Sequence, residues 1–241
     1  MELLNLFKYH SGENSELKMN EWISFLQRSP FSLEKLTCID LTDQTPTFFD
    51  LEGNKFSINF ELDRRNYQKK KSSLKKELIA RAMGSGRAGM RILDLSAGLG
   101  IDAVFLSQMG FEVTAIERNA FIFLALNDAI QNSKIEMNLK FFFDSAQNYL
   151  QKNIGNHDVI YFDPMFPDKK KSALPKQEMV FFRNLVGADE DAENVLELAL
   201  QRKEIHRVVV KRPIKAPSLL KKPDFKVEGK LVRFDVYGVH R

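Results

Sequence analysis

The sequence predicts an α/β fold: a mostly parallel seven-stranded sheet with a terminal antiparallel hairpin, preceded by a small α+β extension. Three observations predict it. From Arg91 onward, short β-rich runs alternate with stretches of helical spacing, the mark of strand–helix–strand units. A glycine turn, Ala97-Gly98-Leu99-Gly100, separates the first of those strands from the helix behind it. Near the C-terminus, Glu228-Gly229-Lys230 parts two apolar runs as a hairpin turn would, adding one antiparallel strand.

Residues 1–85 form the expected N-terminal extension and residues 86–241 the main domain. In the extension, Glu16–Gln27 has helical spacing with Trp22 as a packing residue. Thr47–Asp50 and Lys55–Phe60 are expected to pair around Glu52-Gly53-Asn54. Leu74–Met83 is helical, and Gly84-Ser85-Gly86 stops it. In the main domain the expected strands are Arg91–Leu95, Glu112–Ile116, Leu139–Phe143, Asp158–Phe162 and Arg207–Val210, then Phe225–Val227 and Leu231–Val239. Ile101–Met109 is the first connecting helix, ended by Gly110. Asn119 caps the next, and Ala188–Arg202 is acidic at its start and basic at its end, as the helix dipole favours.

Composition narrows the function classes. The chain has 241 residues with 44% apolar content, enough for a sizeable core. A single cysteine, Cys38, excludes an internal disulfide framework and cysteine-cluster metal sites, and suits a reducing cytoplasm. The N-terminus lacks the pattern of a signal peptide, and no apolar run is long enough to span a bilayer. His10, His157, His206 and His240 lack metal-ligand spacing, and Asp189, Glu190 and Asp191 suit a helix N-terminus better than a magnesium site, so no metal is expected. Net charge is only +4, but lysines and arginines come in blocks, at residues 69–71, 75–76, 169–171, 211–212 and 221–222. Any one block reads as solvated surface. Several beside the chemical loops point to a polyanionic partner.

The sharpest local signal runs from Asp94 through Gly98, Gly100, Ile101 and Asp102 to Ala103, with Glu117 at the end of the following strand. The spacing alone admits both a nicotinamide dinucleotide and S-adenosylmethionine, with Glu117 placed to hold a ribose diol in either case. Charge separates them. A dinucleotide sets its pyrophosphate on this turn and helix N-terminus, where Asp94 and Asp102 would repel it. S-adenosylmethionine carries an ammonium and a sulfonium, which carboxylates favour.

A second loop follows the fourth strand: Asp163-Pro164-Met165-Phe166-Pro167. Ligands of open α/β sheets bind beyond the carboxyl ends of the strands, so this loop is expected near the glycine turn. It suits an exocyclic base amine, whose lone pair is delocalised into the ring. The Asp163 carboxylate and the Pro164 carbonyl can accept its two N–H groups and turn the lone pair toward a methyl group, while Phe166 stacks on the extruded base. Taken alone, such a box is better explained as a rigid turn with a buried Phe.

Together these segments resemble one family. Asp94–Asp102, Glu117-Arg118-Asn119, the Asp163–Pro167 box, Lys171-Ser172-Ala173-Leu174 through Glu178-Met179, Leu185-Val186-Gly187 and Val208-Val209-Val210-Lys211-Arg212-Pro213 resemble, in this order, ribosomal RNA small subunit methyltransferase J. The resemblance implies a Rossmann-like class I methyltransferase that uses S-adenosylmethionine to methylate N2 of a guanine in 16S ribosomal RNA. It implies a cofactor site lined by Asp94, Gly98, Gly100, Ile101, Asp102, Glu117, Arg118, Asp144, Ser145 and Asp163, with Glu117 on the ribose hydroxyls and Asp144 on the adenine amine. Asp163, Pro164 and Phe166 would serve the target base, and Lys169, Lys170, Lys171, Lys211 and Arg212 the RNA or small ribosomal subunit. Two segments depart from the family pattern: Lys69–Lys76 replaces a basic glycine-rich stretch, and Pro175 falls where Lys or Val is expected. The other readings are an amino-methyltransferase for another RNA or DNA base, a non-catalytic RNA-binding assembly protein of the same fold, and, least favoured, a dehydrogenase.

Overall fold

The computed structural model describes residues 3–10, 13–30, 36–61, 77–84, 89–152, 155–165, 181, 185–186 and 189–239. The chain divides into two compact units, each assembled from separated stretches: residues 1–59, 119–133 and 165–188 form the first, and 60–118, 134–164 and 189–241 the second. The boundary expected at residues 85–86 falls inside the second unit.

The first unit holds a four-stranded sheet in the order β1 (Phe7–Lys8), β2 (Leu36–Asp40), β3 (Thr47–Asp50), β4 (Lys55–Phe56). The β3–β4 hairpin forms where the Glu52-Gly53-Asn54 turn places it: Asp50 Oδ1 accepts the backbone N–H groups of Glu52 and Asn54, and Gly53 takes φ 76°. Strand β4 stops at Phe56, short of the expected Phe60. Helix α1 (Glu13–Leu26) buries Met19, Trp22 and Leu26, one face at helical spacing. Trp22 stacks on Phe48 (5.9 Å), Phe48 on Phe56 (4.7 Å), and Phe56 meets Phe181 (4.7 Å). The same unit contains helix α4 (Ala120–Gln131). Asn119 caps it as expected, its Oδ1 accepting from Phe121 N and Ile122 N.

The second unit is built on a seven-stranded sheet. Its strands are β5 (Arg91–Asp94), β6 (Glu112–Glu117), β7 (Leu139–Phe143), β8 (Val159–Phe162), β9 (Arg207–Pro213), β10 (Phe225–Glu228) and β11 (Val232–Gly238), ordered β10-β11-β9-β8-β5-β6-β7. Strands β5 to β9 pair in parallel, and β11 lies antiparallel to both β9 and β10, as the terminal hairpin requires. All four residues of β8 and Val208–Val210 of β9 are buried, because a parallel sheet is covered on both faces. Helix α6 (Ala192–Leu200) turns Ala192, Val195, Leu196 and Ala199 into the core with Leu93, Ile116, Ile160 and Tyr237. Burying each large aliphatic side chain in such a core contributes about 1.5–3 kcal/mol.

Helices α2 (Leu78–Met83), α3 (Ile101–Gln108) and α5 (Ala146–Gln151) complete the unit. Gly84 ends α2 at φ 89°. The expected start of α2 at Leu74 lies outside the described residues, as do most residues between Asp163 and Asp189. No helix of the described residues is long and apolar enough to cross a membrane.

Candidate active site

The carboxyl ends of β5, β6, β7 and β8 each deliver an acidic residue, and all lie in the second unit. The glycine turn leaves β5 at Asp94 and bends sharply, with Gly98 at φ 53° and Gly100 at φ 73°, a conformation that a Cβ would strain. Ala97 N donates to Ile116 O at 2.9 Å, and Gly98 N donates to Glu117 Oε2 at 2.9 Å. The turn therefore caps the end of the neighbouring strand β6. One of its backbone N–H groups is taken by a carboxylate, where a phosphate-binding turn would keep it for an anion. Asp144 follows β7, and its N–H donates to Glu117 O (3.2 Å), which places these two acids side by side.

Asp94 is almost fully buried, and its Oδ1 accepts from Ser96 N (2.9 Å) and Ser96 Oγ (3.4 Å). Burial pushes its carboxyl up to about 8; the Ser96 N–H works against that rise, while Asp102 and Asp163 add to it. Ser96 Oγ in turn accepts the backbone N–H of Asp163 at 2.7 Å, tying the loop after β8 to the glycine turn. The two loops expected to lie near each other are thus joined through Ser96, which the sequence marks only by its place inside the Asp94–Gly98 turn.

Asp102, in the first turn of α3, accepts from the buried Tyr161 hydroxyl (2.5 Å) and from Lys211 Nζ (2.8 Å). Lys211 Nζ also donates to Asp163 Oδ2 at 2.8 Å. Burial opposes the lysine's charge, but Asp102 and Asp163 outweigh it and raise its pKa. Burial also lifts Asp163 to about 6, against the pull of Lys211. Without a bridging ammonium, two neighbouring carboxylates repel each other by on the order of 3 kcal/mol at an effective dielectric near 20. Lys211 thus belongs to the acid cluster. Strand β9 runs to Pro213, past the expected end at Val210, so Lys211 and Arg212 lie within the sheet ladder. Arg212 points inward: its Nε and Nη2 donate to Pro217 O at 3.0 and 2.7 Å.

The remaining candidate residues occupy varied positions. Ile101 opens α3 and is exposed. Arg118 holds the entry to α6 through Asp189 and through Asp191 (3.4 Å). Ser145 Oγ caps α5 by accepting from Asn148 N (3.1 Å), and Asp144 pairs with Lys152 at 2.6 Å. Pro164 is buried directly behind Asp163. Phe166, Lys169, Lys170 and Lys171 lie outside the described residues, as do the Lys69–Lys76 segment and Pro175. No group of three His, Cys, Asp or Glu that could hold a metal occurs among the described residues.

A cluster this rich in carboxylates, with one internal ammonium, suits a cationic ligand and opposes a pyrophosphate. Comparison with known proteins agrees. A family model of SAM-dependent methyltransferases matches residues 37–239. The chain is 47% identical over 195 residues to ribosomal RNA small subunit methyltransferase J of Bdellovibrio bacteriovorus, covering 79% of this chain and 77% of that protein. It is 39% identical over 200 residues to the protein of the same name from Pseudoalteromonas atlantica, covering 76% of each. The crystal structure of a SAM-dependent methyltransferase from Neisseria gonorrhoeae superposes with a TM-score of 0.69 at 25% identity, over 97% of this chain and 95% of that one.

Proposed function

The chain belongs to the S-adenosylmethionine-dependent methyltransferase family that includes ribosomal RNA small subunit methyltransferase J, and from that membership we propose that it methylates the exocyclic N2 amine of a guanine in 16S ribosomal RNA. The observation that carries this reading is the tie between the two loops. Asp163, at the head of Asp-Pro-Met-Phe-Pro, is fastened through Ser96 to the acidic glycine turn, so an amine acceptor stands beside a cation site.

The residues present fit the cofactor. Gly98, Gly100 and Ile101 supply the close backbone turn; Glu117 would hold the ribose hydroxyls and Asp144 the adenine amine; Asp94, Asp102 and Asp163 suit the positive charge. Arg118 and Ser145, whose side chains hold α6 and α5, would contribute through the backbone and by keeping that wall in place. When bound, S-adenosylmethionine supplies a methyl carbon already activated on a sulfonium.

The protein's own task is orientation. Asp163 and the Pro164 carbonyl accept the two N–H groups of the guanine amine, which aims its lone pair at the methyl carbon. Transfer of that methyl to the amine would leave the sulfur as a neutral thioether, and the amine's surplus proton can pass to Asp163. Phe166 stacks on the flipped base, and Lys169–Lys171 hold flanking phosphates. The enzyme would work in the cytoplasm on ribosomal RNA or the small subunit.

Mass-spectrometric mapping of modified nucleosides in 16S ribosomal RNA, with and without the gene, tests the reading. Loss of one N2-methylguanosine on deletion, restored by purified enzyme and S-adenosylmethionine, is the expected result. An unchanged modification profile, with no methyl transfer to any ribosomal RNA, would overturn it.

A further inference from the structure

We propose that Lys211 is a positioning residue for methyl transfer: its ammonium bridges Asp102 and Asp163 and keeps Asp163 an aimed, ionised acceptor. The inference rests on the function proposed above, since it is the amine that needs Asp163 as a carboxylate. A protonated Asp163 would present an O–H where an N–H acceptor is required, and could not take up the proton the amine surrenders.

The geometry is specific. Asp163 leaves β8, Asp102 opens α3, and Lys211 reaches both from β9, each contact at 2.8 Å. The other charged or titratable groups acting on Asp163 are Asp102, Asp94 at the end of β5, Tyr161 within β8 and Asp189 ahead of α6. The carboxylates of Asp102 and Asp189 push the Asp163 carboxyl up, whereas Asp94 and Tyr161, whose own pKa values burial raises, add little negative charge near neutral pH. Among these groups Lys211 is the cation that opposes them, and it supports the carboxylate's ionisation against burial. To reach an RNA phosphate, its ammonium would have to give up both carboxylates and leave them facing each other. A lysine expected on the RNA backbone is thus assigned to the amine acceptor.

The test uses the full-length enzyme carrying Lys211→Met, Lys211→Arg or Asp102→Asn. The Asp163 carboxyl is titrated by carbon NMR in the ligand-free protein, its signal assigned by loss in Asp163→Asn. Single-turnover methyl transfer is then followed from pH 5.5 to 9. In K211M, both the Asp163 titration and the acid limb of the rate should move alkaline by about one pH unit or more. The rate near pH 6.5 then falls roughly threefold or more and recovers toward pH 9, while the KM for RNA and its salt dependence stay as in the parent. K211R should keep the parental limb. D102N should move the titration the other way, which keeps the inference testable if K211M fails to fold. An unmoved Asp163 titration, or a raised KM for RNA with a shallower salt slope and an unchanged pH profile, would overturn it in favour of a phosphate contact. If the parent enzyme transfers no methyl group to any RNA, the proposed function fails, yet the NMR titration still decides whether Lys211 governs Asp163.

Discussion

Gly98 donates its backbone N–H to Glu117 Oε2 at 2.9 Å, so the glycine turn is pinned to the strand beside the one it leaves. Glu117 therefore shapes the turn as well as facing the ligand. Hydrogen bonds to a charged group contribute about 1.5–3 kcal/mol, so Glu117→Ala should weaken S-adenosylmethionine binding by about 10- to 100-fold. Isothermal calorimetry checks this, and an unchanged Kd would remove Glu117 from the cofactor site.

Asp163 should tolerate one substitution and not another. Asn retains a carbonyl acceptor and the length of the side chain, whereas Ala retains neither. We expect Asp163→Ala to lower kcat by about 10²–10³ through loss of a positioned acceptor, with a far smaller effect on cofactor binding. Asp163→Asn, which can accept an N–H but cannot take up the amine's proton, should fall between the parent and the alanine variant. Equal loss in both variants would mean that the carboxylate's charge, and not its acceptor geometry, decides the rate.

Burial raises Asp94 to about 8 from an ordinary 3.8. A raised folded-state pKa means that the stability carried by the protonated form is fully present below about pH 4 and fades as pH climbs through 8. Melting temperatures of the ligand-free protein should therefore fall between pH 5 and 8.5, and Asp94→Asn should flatten that slope. A cationic ligand favours ionised Asp94, so binding at pH 7 should release up to about one proton. Calorimetry in buffers of different ionisation enthalpy reads its sign; proton uptake would contradict the assignment.

Arg233 and Asp235, both on β11 and both almost fully buried, form an ion pair with Nε–Oδ1 at 2.7 Å, and Arg233 Nη1 also donates to Pro213 O and Ile214 O. Arg233→Met would leave a buried carboxylate unpaired and should cost about 3–5 kcal/mol in urea unfolding. Replacing both residues by apolar ones of similar volume should recover much of that loss.

The phosphate role proposed for Lys169, Lys170 and Lys171 has a separate signature. Changing all three to Gln should raise the KM for RNA and flatten the plot of log affinity against log salt by up to about 0.7 per lost contact. The cofactor Kd and kcat at saturating RNA should not move. A salt slope identical to the parent's would place the RNA elsewhere.

What was legible in the sequence depended on whether the determining contacts were local. Strands β8 and β9 announced themselves as apolar runs because a doubly covered sheet buries every residue of β8 and the Val208–Val210 run. The acid-flanked glycine turn was readable because Asp94, Gly98 and Asp102 are sequence neighbours. Strands β1 and β2 escaped notice: β1 has two residues, and its register with β2, Phe7 against Ile39, depends on a distant partner. Helix α5 was missed because it spans only six residues, although Ser145 ahead of Ala146, Tyr149 and Leu150 was a usable cap-and-face signal. The bridging position of Lys211 was illegible for the same reason as β1. Its partners, Asp102 and Asp163, lie 109 and 48 positions away.

The first unit's patchwork make-up bears on synthesis. A ribosome delivers residues 1–59 long before residues 165–188, which the same unit needs. At about 5–20 residues per second, the nascent N-terminal segment waits several seconds for its last contributors. During that interval Phe56 has yet to meet Phe181. Such a chain invites transient chaperone cover, and fragments cut near residue 60 should emerge sticky and incomplete.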